Sequence, residues 1–167
     1  MRKVLGSMTV ALCLCATTAA AQSSAGEVHA NYQRAVNSKT NAWGGGAQYQ
    51  LTLGAKKAPV QLSTSLGVDW TKQDNGGPTQ TSVSYDAALQ PGGGGSFTPY
   101  AGGSVGANWS GGTGKQWDGA KLGLEALAGF QVKLGLKGVS WNAQERFGYV
   151  RGQDHNLTTR VGVVVSF

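Results

Sequence analysis

Six ionisable side chains fall at spacings from which they can meet. The acids Asp69, Asp86 and Glu125 and the bases Lys121, Arg146 and Arg160 each sit among small or polar residues on one parity of an alternating run. Glu125, Arg146 and Arg160 also lie on three successive runs, which predicts a shared ionic network. Its chemistry is electrostatic, and two forms of it stay open. One is an ion or proton path; the other is a polar filling in which opposite charges satisfy one another, since an unpaired buried charge is costly. Other chemistries find little support. The two histidines, His29 and His155, form no two-histidine metal spacing, and no serine sits in a G-x-S-x-G elbow. Cys13 and Cys15 both belong to the first stretch of the chain, so the remainder has no thiol for a disulfide, a thiolate metal site or nucleophilic attack. The glycine runs Gly44–Gly46 and Gly92–Gly95 precede no helical pattern, so they read as turns or close strand approaches, not as phosphate loops. No cofactor is expected.

The elements that must position these charges are strands. Val60, Leu62, Thr64, Leu66, Val68 and Trp70 alternate with Gln61, Ser63, Ser65, Gly67 and Asp69. The same period of two runs through Thr81–Leu89, Phe97–Trp109 and Lys121–Val132, which argues strand over helix. Noisier alternation marks Trp43–Leu53, Val139–Tyr149 and Leu157–Phe167, and the weakest segment is about Glu27 to Val36. Turn-forming residues separate the segments, although the connection near Lys133–Lys137 is marked only by Gly135. Glu145 falls on the apolar parity of its run, which predicts a bulge there or a shifted register. Eight strands of about 9–11 residues, joined in sequence by hairpins, fit an all-β, antiparallel, up-and-down transmembrane β-barrel. A soluble sandwich or barrel would show similar spacing.

The first stretch reads differently. Arg2 and Lys3 precede an apolar run from Val4 to Ala16, and small residues end at Ala19-Ala20-Ala21. This is the layout of a cleavable signal peptide, and the run is short for a bilayer span. The expected organisation is therefore 1–21 signal peptide and 22–167 barrel. Without Arg2 and Lys3 the bases fall from 14 to 12 against 8 acids, leaving a charge of +4. The bases form no cluster suited to a phosphate backbone, so nucleic acid is not expected as a partner. The 27 glycines and the complete absence of isoleucine also speak against a conventional soluble core.

Aromatic positions bear on the choice between membrane and soluble barrels. With both termini on the periplasmic side, Trp43, Trp70, Trp109 and Tyr149 fall at the outer ends of their strands. Phe97, Phe130, Trp141 and Phe167 fall toward the periplasmic ends. Two girdles bounding an apolar band are what a barrel in lipid requires, because amphipathic rings favour the interface. The outer connections carry or border Lys39, Lys72, Lys115 and Arg151, which either contact lipopolysaccharide phosphates or form an ordinary solvated rim.

At the carboxy terminus, Val161, Val163, Val165 and Phe167 recur at every second position. This tail resembles the closing strand of bacterial outer-membrane barrels. The resemblance implies that Val163, Val165 and Phe167 serve as a signal for the barrel-assembly machinery. Signal, strands and tail together are similar to the small outer-membrane β-barrel domain family of OmpA-type and OmpX-type barrels, over about Glu27–Phe167. The resemblance implies an outer-membrane location, contact with outer-membrane lipid and lipopolysaccharide, and a structural or surface-interaction role, with a monomer favoured. A narrow porin-like channel or transporter is the alternative. A lipid-modifying enzyme is the third reading, and His155, followed by Asn156 and Leu157, lacks the His-x-Ser pairing of outer-membrane lipid-A deacylases. A non-enzymatic protein is expected.

Overall fold

The computed structural model describes residues 21–55, 57–111, 118–151 and 155–167. The expected signal segment up to residue 20, Lys115 and the Gly152–Asp154 turn lie outside the described residues. Eight strands follow one another: β1 (Ala21–Ala35), β2 (Asn41–Leu53), β3 (Val60–Gln73), β4 (Thr79–Pro91), β5 (Phe97–Gly111), β6 (Lys121–Lys133), β7 (Val139–Val150) and β8 (His155–Ser166). Each pairs antiparallel with the next, and β8 returns to β1 to close the barrel. Both termini leave from one end, where Phe167 N–H donates to Ser24 C=O at 3.0 Å. We call this the terminal end and the opposite one the loop end.

The side-chain period of two decides what each face carries. Val28, Val68, Val83, Leu89, Val105, Leu122, Leu124, Val161 and Val163 are all exposed on the outside. The inward parity of the same strands holds the buried polar set: Glu27, His29, Asn31, Gln48, Asp69, Asp86, Asn142, Gln144, Arg146 and Arg160. The molecule is thus apolar outside and polar inside, the reverse of a soluble barrel and the arrangement that hydrocarbon solvent requires.

Several details differ from the sequence reading. The strands run 12–15 residues, longer than expected, because their ends continue past the apolar band into the rims. β1 begins at Ala21, not near Glu27; its first residues lack alternation, yet their backbones pair with β2 and β8 (Ser23↔Thr52, Ala25↔Ser166). Backbone pairing needs no side-chain pattern. Leu127 and Val164 are apolar residues buried on the inward face, among the polar set. The connection marked only by Gly135 is a tight turn between β6 and β7, and Gly135 and Gly138 both adopt φ of +77°, a conformation that side chains disfavour. The bulge expected at Glu145 is absent. Register runs unbroken through Ala128↔Glu145 and Glu145↔Thr159, so the carboxylate stands on the outer face, where Thr159 Oγ1 donates to it at 2.8 Å.

Candidate functional site

The lumen is where the ionisable residues collect. A narrow eight-stranded barrel has room inside for little more than side chains, so whatever points inward must find partners there. Arg146, on β7, is only 1% exposed. Its Nε donates to Glu125 on β6 at 2.6 Å, and its two terminal nitrogens grip Asp86 on β4 with two bonds of 2.8 Å. The planar fork of guanidinium suits such a two-point grip on a carboxylate. Arg160, on β8, reaches across to Asp69 on β3 at 2.5 Å.

The second half of the lumen centres on His29. Its Nε2 lies 2.7 Å from Asp69 Oδ1 and its Nδ1 lies 3.4 Å from Glu27 Oε1. Glu27 in turn accepts bonds from Asn142 at 2.9 and 3.0 Å and from Gln48 at 2.8 Å. Asn31 adds a 3.0 Å bond to Asp69. Tyr100 donates to Asn142 at 2.7 Å, and Gln144 donates to the Tyr100 hydroxyl at 3.3 Å. Nearer the terminal end, Gln131 and Ser63 bond to Gln50. Many of these contacts, such as Asn142 to Glu27, His29 to Asp69 and Gln131 to Gln50, join strands that are not neighbours in the sheet, so the lumen is cross-braced as well as filled.

Glycine makes the space. A Cβ on Gly46 would lie 2.7 Å from both Asp69 Oδ1 and His29 Nε2, and one on Gly162 would lie 2.7 Å from the His29 Cβ. A Cβ on Gly129 would lie 2.6 Å from the Tyr100 hydroxyl. The glycine richness of the chain thus has a partial account: inward-facing glycines admit large polar side chains from opposing strands.

Five of the six lumen charges expected from sequence come together: Asp69, Asp86, Glu125, Arg146 and Arg160. Arg160 pairs with Asp69, not with Glu125. Lys121 is the correction. It points inward but sits at the loop-end mouth, where it bonds the exposed Asp118 at 3.3 Å. Glu27 and His29 are members that the sequence reading left out. The alternation put both on the polar parity of the first segment, but their partners Asp69, Gln48 and Asn142 lie on other strands and are set by closure of the barrel.

Two cavities flank this network. At the terminal end a polar cup of about 190 Å³ is bordered by Gln50, Gln61, Gln90, Gln131, Lys133 and Ser140. At the loop end a space of about 40 Å³ lies among Asn31, Asp69, Glu125 and Arg160.

Eight aromatic residues stand toward the two rims. Trp43, Trp70, Trp109 and Tyr149 lie toward the loop end, with Trp43 packed on Tyr32 at a ring separation of 4.5 Å. Phe97, Phe130, Trp141 and Phe167 lie toward the terminal end, where Phe97 and Phe130 are 5.3 Å apart. Lys39, Lys72 and Arg151 are exposed at the loop end, and Arg34 joins them there from the end of β1. Val163 and Val165 face outward on β8, and Phe167 is highly exposed at the terminal rim.

No protein-family model and no curated protein sequence matches the chain. Solved structures do. Neisserial surface protein A is similar with a TM-score of 0.65 at 17% identity, covering 86% of this chain and 97% of its own. Ail, the attachment invasion locus protein of Yersinia pestis, is similar with a TM-score of 0.60 at 14% identity, covering 87% of this chain and 98% of its own. Ail in complex with the heparin analogue sucrose octasulfate gives 0.50 at 13% identity, covering 87% and 97%. Closed eight-strand topology, apolar exterior, polar lumen and these likenesses agree: the chain has the fold of the small bacterial outer-membrane β-barrels.

Proposed function

We propose that the chain is an integral outer-membrane protein with a structural or surface-interaction role and a lumen closed to solutes. The observation that carries the reading is the pairing of an apolar exterior with a lumen cross-braced by buried ion pairs. A wet pore of this bore would leave Arg146 solvated, whereas it is almost fully enclosed and held by two carboxylates. In this reading the terminal end faces the periplasm and the loop end faces outward. Lys39, Lys72, Lys115 and Arg151 then meet lipopolysaccharide phosphates above a belt of tryptophans, and Arg34 extends that cationic rim. Val163, Val165 and Phe167 present the tail to the barrel-assembly machinery. The protein acts without catalysis and without a cofactor.

Two measurements test this. Fractionation with a heat-shift gel tests the barrel and its location, because folded barrels resist unboiled detergent and migrate anomalously. Planar-bilayer conductance of the purified protein tests closure; a steady, reproducible open pore would overturn the closed-lumen reading. A narrow channel is the second reading, favoured by the cavities at the two ends. The layer of Glu27, Gln48, Tyr100, Asn142 and Arg146 lies between those cavities, and the channel reading requires that layer to open.

A further inference from the structure

The polar cup at the terminal end encloses about 190 Å³, against about 40 Å³ at the loop end. The smaller space suits ordered water, whereas the larger one admits a ligand group. Strands wall the cup off from the bilayer, so it is entered along the barrel axis. Its floor is fixed, with Gln131 donating to Gln50 at 3.2 Å and Gln50 donating to Ser63 at 2.6 Å. Other polar groups around it stand unused. Gln61 donates its amide N–H to the Ala55 carbonyl and keeps its side-chain oxygen free. No hydrogen bond to a described residue holds the side chains of Gln90, Thr98 or Ser140.

The side-chain charge at this end has one sign. Lys133 borders the cup and donates to the Gly94 carbonyl, and Lys57 and Lys137 are exposed in the adjoining turns. Among the described residues, acidic side chains lie in the lumen, on the outer face at Glu145, or at the loop end at Asp74 and Asp118, and none pairs with these three lysines. Glu27, the acid nearest the cup, is buried and already accepts bonds from Gln48 and Asn142. Cations beside neutral amides and hydroxyls complement a ligand that carries carboxylates among amides. None of the residues bordering the cup is aromatic, so a sugar face finds no ring to stack on. A peptide, in contrast, finds partners there for both its N–H and its C=O groups. A lipid headgroup would have to leave the plane of its leaflet to enter.

We propose that the terminal-end cup binds the peptide stems of the cell wall, which carry carboxylates and amides together and lie on the periplasmic side of an outer membrane. Lys57, Lys133 and Lys137 meet the carboxylates, and Gln61, Gln90 and Gln131 exchange hydrogen bonds with the amides of the stem. Such a contact ties the membrane to the wall through the barrel itself. The inference rests on the reading that places the terminal end in the periplasm.

The experiment titrates the purified protein in detergent micelles, its fold checked by the heat shift, with soluble disaccharide–peptide fragments of peptidoglycan. Saturable binding is expected, and it should vanish for the disaccharide without its peptide and for fragments whose carboxylates are amidated. Lys57→Gln, Lys133→Gln and Lys137→Gln together should weaken binding on the order of ten-fold. Gln90→Leu, which leaves the net charge unchanged, should weaken it several-fold, while Lys121→Gln at the opposite mouth should bind like wild type. All these variants should retain the heat shift, which separates loss of binding from loss of folding. Absence of saturable binding overturns the proposal, as does equal binding of the bare disaccharide or of glycerol phosphate, the chemistry of a lipid headgroup. Gln90→Leu binding like wild type, or Lys121→Gln weakening it as much as the triple variant, would also overturn it, since charge alone would then account for the attraction. The orientation is tested apart, by labelling Ser96→Cys and Ser38→Cys in intact cells with a maleimide that does not cross the outer membrane. Labelling of S38C alone is expected; labelling of S96C from outside would overturn the periplasmic reading, and the cell-wall assignment with it, whatever the titration shows.

Discussion

Replacing Arg146 with alanine is the most direct probe of the lumen. The side chain is 1% exposed and makes three bonds to carboxylates, two to Asp86 and one to Glu125, besides a 3.3 Å bond to Gln144. Asp86 would retain the weaker 3.3 Å bond from Ser65, and Glu125 would lose its ion pair. Removing one partner of a buried pair costs about 3–5 kcal/mol, most of it from the charge left stranded. Asp86 is the buried carboxylate left stranded, while Glu125 is 25% exposed and keeps contact with solvent, so the lower part of that range is expected. The contrast is Lys121→Ala, which breaks a 3.3 Å pair whose members are 32% and 59% exposed; such pairs contribute about 0–1 kcal/mol. Urea unfolding in phospholipid vesicles, followed by tryptophan fluorescence, measures both, since Trp43, Trp70, Trp109 and Trp141 all face outward. A triple variant, Arg146→Met with Asp86→Leu and Glu125→Met, removes the charges together and should regain most of the loss, because apolar replacement of a buried ionic group is often neutral. If Arg146→Ala costs less than about 1 kcal/mol, or no more than Lys121→Ala, the enclosed ionic network is not what holds the lumen.

Three further outcomes are expected. Leu66→Arg, at the centre of β3 on the outer face, should destabilise the barrel by roughly 2–4 kcal/mol. Gln61→Arg, on the inward face beside the polar cup, should stay within about 0.5 kcal/mol of wild type, and equal urea midpoints for the two would refute the face assignment. Gly46→Ala should cost about 1–3 kcal/mol by overpacking His29 and Asp69, whereas Gly103→Ala, whose added Cβ meets an atom no nearer than 3.5 Å, should be close to neutral in the same titration. Deleting Phe167 should reduce outer-membrane levels several-fold in fractionated cells while leaving the unfolding midpoint of the refolded protein little changed; normal levels would remove the assembly role assigned to the tail.

The sequence alone determined the number of strands, their order and, for most residues, the face on which each side chain falls. These follow from local covalent geometry. Successive side chains in a strand point to opposite sides, so Val68 and Asp69 are assigned to opposite solvents as soon as Val60–Trp70 is read as a strand. The same logic placed Glu145 outward, and the structure keeps it there without the bulge that its charge suggested. Who meets whom across the lumen was decided only by closure. Arg160 and Asp69 are 91 residues apart, and Asn142 and Glu27 are 115 apart. Their depths match because of the stagger between strands around the ring, which no single strand encodes. For the same reason, equal inward parity buried Arg146 between two acids but left Lys121 at the mouth with Asp118. Glu27 and His29 became part of the network for the same reason: closure sets Asn142 of β7 and Asp69 of β3 at their depth across the lumen, a match that the period of two along β1 does not encode.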